Sequence, residues 1–385
     1  MFSRSRGRVH RWPGTWFSVS VALALVLVLL VALGGAHAHP RGTQSPGGTP
    51  TANPNSGSPA PIAAPPWMHR LRPGEKPPQF VLFSFDGAGS HEHWQRILPL
   101  AKSVGAHFSG FLSGIYLLTD AQRDHYTGPG HAPGKASIGF GGSDADVRTL
   151  VGDLNTAVDQ GDEIGTHYNG HFCTGAEPSI GHWSTASWNS ELRQFFDYVD
   201  NARAQRGLTV DPRTITGGRT PCLEGNWAQA FPAMRAAGLD YDSSQPSDGV
   251  RWPTNLDGIW EFWMPYVKVP ALNKKVIMMD FNLWFQYNHA QNDSTRSAEF
   301  TRYTMDTYRG AYTAALNGNR APLVVGNHFN DWAGGAFAHA TEDFMREVCT
   351  KSETVCATYS EVIHWMSLQD PTVLDHYRNL PAAQP

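Results

Sequence analysis

The segment Gln79-Phe-Val-Leu-Phe-Ser-Phe85 constrains the fold more than any other stretch of the chain. It is apolar at nearly every position, so a strand formed there must be covered on both faces. It stops at Asp86-Gly87-Ala88-Gly89-Ser90, a turn-forming composition, and apolar residues then recur at helical spacing through Trp94, Ile97, Leu98 and Ala101. The alternation continues, with a strand expected over 108–118, a helix over 147–159, a strand over 162–166, a helix over 191–206 and a strand over 213–217. A helix over 227–237 and a strand from Tyr241 follow, then a strand over 276–281 and a helix over 300–317. The last elements are a strand over 322–327, a helix over 341–351 and a strand over 354–359. Strands alternating with helices call for an α/β fold, a parallel sheet with its helices outside.

The ends of the chain are of another character. Arg4, Arg6, Arg8 and Arg11 precede an apolar run from Val19 to Leu33, and Ala36-His-Ala38 follows. Residues 1–38 therefore read as a secretory signal peptide cut after Ala38 or, left uncut, as an N-terminal membrane anchor. Residues 39–75 are rich in Pro, Gly and Ser and read as a disordered linker. The folded domain is expected over 76–370, with a C-terminal tail over 371–385. Outside the cytoplasm the four cysteines pair as disulfides. Of the three possible pairings, the local one joins Cys349 to Cys356 and leaves Cys173 with Cys222. A net charge of −4 with no basic face excludes nucleic acid as a partner. Membrane contact is expected only through an uncleaved N-terminal segment, and the chain is expected to be a monomer.

Polar residues fall where the strands end: Asp86, His167 with His171, Arg219 and His328. In α/β sheets and barrels the carboxyl ends of the strands carry the active site. Two imidazoles four residues apart can converge on one divalent ion, although such pairs are also common as packing or surface residues.

Taken in order, these residues resemble the NodB-homology polysaccharide deacetylases, carbohydrate esterase family four, and in particular their chitin-deacetylase-like branch. Ser84-Phe85-Asp86-Gly87 is similar to the family's first motif, Thr-Phe-Asp-Asp-Gly. Gly161-Asp-Glu-Ile-Gly-Thr-His167-Tyr-Asn-Gly-His171 is similar to its second, with Tyr168 in place of Ser or Thr. Arg219-Thr220-Pro221 matches the Arg-x-Pro motif, and Leu323-Val-Val-Gly-Asn-His328 matches the final histidine motif. The resemblance runs from Gln79 to Trp365 and implies a distorted (β/α) barrel of about seven parallel strands.

It also implies an exported, metal-dependent hydrolase that removes acetyl groups, N-acetyl favoured, from a glycan of the cell envelope or environment. His167 and His171 would hold the ion, zinc or else cobalt, nickel or manganese. Asp86 would be the base, His328 the acid, and Arg219 would keep Asp86 ionised. Substrate contacts fall to Pro221, Trp332 and Tyr168. His328 could instead be a packed histidine bonded to Asp331. The chain departs from the family at Gly87, which occupies the position of the third metal ligand. Asp86 itself, Asp280, or one of His91, Glu92 and His93 could replace it. If none does, the chain is a glycan-binding pseudoenzyme. A hydrolase of a small amide or ester is a further possibility.

Overall fold

A computed structural model of the protein describes residues 64–385. The expected signal peptide or anchor and the linker up to residue 63 lie outside the described residues.

Twelve strands and nine α-helices occur among the described residues. The strands are β1 (Gln79–Gly87), β2 (Ser109–Leu112), β3 (Glu163–Thr166), β4 (Gly217–Gly218), β5 (Tyr241–Asp242), β6 (Pro246–Asp248), β7 (Thr254–Leu256), β8 (Ile259–Glu261), β9 (Met264–Val269), β10 (Lys274–Ile277), β11 (Leu323–His328) and β12 (Thr354–Cys356). The helices are α1 (His91–Val104), α2 (Asp144–Gln160), α3 (Thr185–Arg206), α4 (Trp227–Ala236), α5 (Asp280–Asn288), α6 (Ser297–Asn317), α7 (Trp332–Val348), α8 (Tyr359–Leu368) and α9 (Pro371–Arg378).

The main sheet runs β11-β1-β2-β3-β4-β5-β8-β7, with β12 beside the start of β1. The seven strands from β11 to β8 are mutually parallel, as expected, and β7 is antiparallel to β8.

This sheet is curled. In a flat sheet β1 and β8, five steps apart, would be separated by roughly 24 Å. Yet Tyr359, at the start of α8, touches both sides of that gap. Its hydroxyl lies 3.1 Å from Ser84 Oγ on β1, and its ring is 5.0 Å from that of Phe262, just after β8. The ring also stacks on Tyr241 of β5 at 5.1 Å and packs on Phe111 of β2 at 5.5 Å. The strands therefore wrap around one buried tyrosine.

A second sheet, in the order β10-β9-β6, continues directly from β8 and meets β11 through a parallel bridge between Met279 and Gly326. A Cβ at Gly326 would sit 2.7 Å from Met264 Cε and 2.9 Å from Met279 Cε. The glycine lets the two sheets abut and complete the barrel.

Several boundaries differ from the sequence expectation. Strand character over 108–118 stops at Leu112, and Gly114–Leu117 forms a 3₁₀ turn. Gly114 donates its N–H to Tyr168 O, and a Cβ there would lie 2.3 Å from Asn169 Oδ1, so the chain is diverted beneath the histidine loop. The strand expected over 276–281 ends at Ile277, and α5 begins at Asp280, an acidic residue at a helix N-terminus. Helix α3 begins at Thr185, where Ser184 caps it, and α7 begins at Trp332.

Both ends of the described residues are more ordered than their composition suggested. Trp67 packs edge-on against Phe80 at 5.8 Å, and Leu71 N–H donates to Gln369 Oε1, so the linker does not extend to residue 75. The expected tail forms α9, and Ala383 bridges Val250. Both disulfides form as expected, Cys173–Cys222 and Cys349–Cys356.

Candidate active site

The parallel register sets Asp86, at the end of β1, directly beside His328, at the end of β11. His167 and Arg219 follow β3 and β4 immediately. The strand ends thus bring together the four positions singled out in the sequence.

Arg219 is wholly buried and its guanidinium is fully engaged. It donates to Asp86 Oδ1 at 2.8 Å, Ser243 O at 2.6 Å, Ser243 Oγ at 3.0 Å and the Tyr359 hydroxyl at 3.0 Å. The next residue is also tied: Thr220 N–H donates to Ser244 Oγ, which donates to Asp242 Oδ1. Burial alone would raise the Asp86 pKa. Arg219, with the neighbouring His167 and His328, outweighs it and holds the carboxyl below its ordinary value of 3.8.

His328 faces the opposite requirement. Burial disfavours its charged form, but Asp280 accepts from its Nδ1 at 2.7 Å, and with Asp86 nearby its pKa rises above 6.5. Asp280 Oδ2 also accepts the backbone N–H of His328 at 2.7 Å and Asn330 Nδ2 at 3.1 Å. The partner of His328 is therefore Asp280. Asp331 instead pairs with Arg96 and His93.

His167 Nδ1–H donates to Arg219 O at 2.8 Å, which leaves Nε2 as the free acceptor. Burial pushes its pKa down to about 3, so the ring is neutral. Its Nε2 is buried and has no hydrogen-bond partner. His171 lies with its ring 5.3 Å from that of His167, and burial lowers its pKa too.

The loop between them is strained, with Tyr168 and His171 both at φ 57°. It is also held tightly. Glu191 of α3, fully buried, accepts the N–H groups of Asn169 at 3.0 Å and Gly170 at 3.3 Å and the hydroxyl of Tyr126. Burial raises the Glu191 pKa to about 7. The Cys173–Cys222 bridge ties the same loop to the one after Arg219.

An orphaned, neutral imidazole nitrogen beside a second histidine fits a divalent ion of the zinc type. The carboxylate partner does not follow. Gly87 has φ 82°, a conformation that disfavours an aspartate as strongly as it suits glycine. Among the described residues, the group of three potential ligands with atoms within 4.8 Å of one another is His171, Cys173 and Cys222, and both sulfurs are already in a disulfide. Of the five possible substitutes for Gly87, Glu92 is exposed at the start of α1 and the other four are engaged elsewhere. Asp86 is bonded to Arg219, Asp280 to His328, His91 to Asp153 and His93 to Ser90.

Asp86, His171, His328 and Trp332 open onto a cavity of about 460 Å³. Tyr168 does not. It is 1% exposed and packs edge-on against Trp188 at 5.1 Å, because its left-handed backbone turns the ring into the core. It is no substrate contact. Pro221 is buried at the first position of a 3₁₀ turn and stiffens that loop rather than lining the cavity. The sequence reading missed Asp280 as the partner of His328, and also Glu191. Asp280 had a signal, since it closes the apolar run Val276–Met279. Glu191 had none, because a glutamate in an amphipathic helix reads as solvent-facing.

No protein-family model matches the chain, and no curated protein matches it. Solved structures similar to it include a putative polysaccharide deacetylase and family-four carbohydrate esterases. A putative polysaccharide deacetylase from Mycobacterium smegmatis is 15% identical over 85% of this chain and 96% of its own, with a TM-score of 0.47. The chitin deacetylase of Colletotrichum lindemuthianum is 13% identical over 73% of this chain and 85% of its own, with a TM-score of 0.41. A family-four pseudoenzyme from Bacillus anthracis is 12% identical over 81% of this chain and 70% of its own, with a TM-score of 0.38.

Proposed function

We propose that residues 76–370 form an exported hydrolase that removes acetyl groups, N-acetyl favoured, from a glycan, with a divalent ion held by His167 and His171. One observation carries this reading. A carboxylate kept ionised by a buried arginine stands beside a histidine kept protonated by a buried carboxylate, at the mouth of one cavity. Their pKa values are pushed in opposite directions, as a base and an acid acting at the same pH require.

When bound, the ion would polarise the acyl carbonyl and lower the pKa of water. The chain's own residues do the rest. Asp86 takes a proton from the attacking water, and Arg219 keeps that carboxylate charged and aimed. The water oxygen bonds to the acyl carbon as the carbon–nitrogen bond breaks. His328 gives its proton to the departing nitrogen, while Asp280 orients the ring and supports its charge. A carboxylate and an amine leave. Trp332, 5.3 Å from His328, walls the cavity where the acyl group would lie. The two disulfides suit an exported chain.

The test is acetate release from acetylated chitooligosaccharides and peptidoglycan by the full chain, with metal content measured alongside. Acetate release that His167→Ala abolishes is expected. An unchanged rate in that variant would reject the metal mechanism. The second reading is a glycan-binding pseudoenzyme, and Gly87, with its left-handed backbone, is what favours it. Under that reading the protein holds less than about half an equivalent of metal and releases no acetate.

A further inference from the structure

We infer that the substrate joins an apolar acyl group longer than acetyl to a polar, hydroxyl-bearing part, as in a long-chain N-acyl amino sugar. The inference rests on the hydrolytic reading of this site and replaces acetyl, as the acyl group removed, with a longer chain.

Asp86 lines two separate cavities. The first, of about 460 Å³, is walled mainly by Ile138, Leu223, Met279, Phe281 and Trp332, with His171 and His328 at its Asp86 end. The second, of about 670 Å³, is mixed, with Ser90, His91, Tyr116, Asp146 and Thr149 beside Phe140, Leu150 and Phe329. The first offers carbon to its occupant and the second offers hydroxyls, an imidazole and a carboxylate. A substrate cleaved at Asp86 therefore has an apolar half and a polar half.

An acetyl methyl needs about the space of one water molecule, roughly 30 Å³. It would leave most of the apolar chamber unfilled, and a wet apolar wall gains nothing from binding. The chamber is also built to stay open. Leu223 follows the bridged Cys222, and Met279 is pinned by its bridge to Gly326. Trp332 is braced by stacking on Trp284 at 4.7 Å and by the edge of Phe281 at 5.6 Å. Phe281 is 43% exposed, so the apolar wall continues to the surface, where the far end of a chain would emerge. On the other side, Tyr116 lies across Gly87 and Gly89 and floors the polar cleft: a Cβ at Gly89 would be 2.6 Å from its ring. Gly87 lines this cleft next to Asp86 and puts no side chain into it.

The test compares hexanoate with acetate binding to the full chain by calorimetry, and hydrolysis of N-hexanoyl- with N-acetylglucosamine. Each buried methylene adds to affinity, so hexanoate should bind at least about tenfold more tightly, and the hexanoyl amide should show a similar advantage in kcat/KM. Phe281→Ala, at a side chain 43% exposed, should reduce that advantage to about threefold. Ile138→Trp, which fills the chamber, should abolish it. Equal binding of the two acids, or an advantage that both variants leave intact, would overturn the inference. Faster hydrolysis of the acetyl amide would overturn it too and leave the hydrolytic reading standing. Tighter, variant-sensitive hexanoate binding without hydrolysis of either amide would uphold the chamber and reject the hydrolase.

Discussion

The mouth of the barrel has two halves, and they are built differently. On the acid–base side every charge is matched by a buried partner from another element: Asp86 by Arg219, His328 by Asp280. On the histidine side the backbone is held just as firmly, by Glu191 and a disulfide, yet the buried Nε2 of His167 has no partner and Gly87 contributes no side chain. A buried charge cannot be left unmatched without cost to the fold, whereas an unmatched neutral imidazole costs much less. Stability therefore constrains the facing side chains of the first half, whereas ligand binding constrains the free imidazole of the second.

This contrast is open to direct attack, most severely at Arg219. Arg219→Met leaves Asp86 buried without its cation and should destabilise the protein by about 3–5 kcal/mol in denaturant unfolding. His167→Ala, on the other side, should cost far less stability while removing activity. If the two variants unfold alike, the distinction fails. Next in size is the double change Cys173→Ser/Cys222→Ser, which opens a loop of sequence separation 49 and should cost about 2–4 kcal/mol.

A smaller effect concerns pH. Asp86 is held below its ordinary 3.8 and His328 above 6.5, so the pair Asp86 ionised and His328 protonated persists throughout that interval. The kcat/KM profile should fall on the acid side only below 3.8 and on the alkaline side only above 6.5. Asp280→Asn removes the charge that raises His328 and should move the alkaline limb toward lower pH. An unmoved limb would mean that another group sets it. The mildest change is Gly87→Asp. There is room for the side chain, since a Cβ would meet Tyr116 at 3.7 Å, but the φ of 82° costs about 1–2 kcal/mol. Metal affinity by calorimetry should nevertheless rise, which would identify Gly87 as the vacancy in the ligand set.

The four strand-end positions were legible because apolar runs stop there, and a buried parallel strand shows its end as the first polar residue. The same logic failed at Asp280. The apolar residues run on through Phe281 into α5, so a strand end and a helix start merge into one segment. In the small sheet only β10 was anticipated, and β6 was not because its three residues carry too little periodicity to register. Tyr168 misled for a different reason: His171 in the same loop faces the cavity, but the Tyr168 ring, on a left-handed backbone, packs into the core. Glu191 became visible only through the loop it holds.

Tyr359 follows all twelve strands in the chain, yet it touches β1, β2 and β5 and the residue after β8. During synthesis the curled sheet must wait for this ring before its centre can dry out. The arginine that steadies Asp86 lacks one of its hydrogen-bond acceptors until then. A chain released before residue 359 would thus hold every catalytic side chain proposed here and still be unable to set them in place.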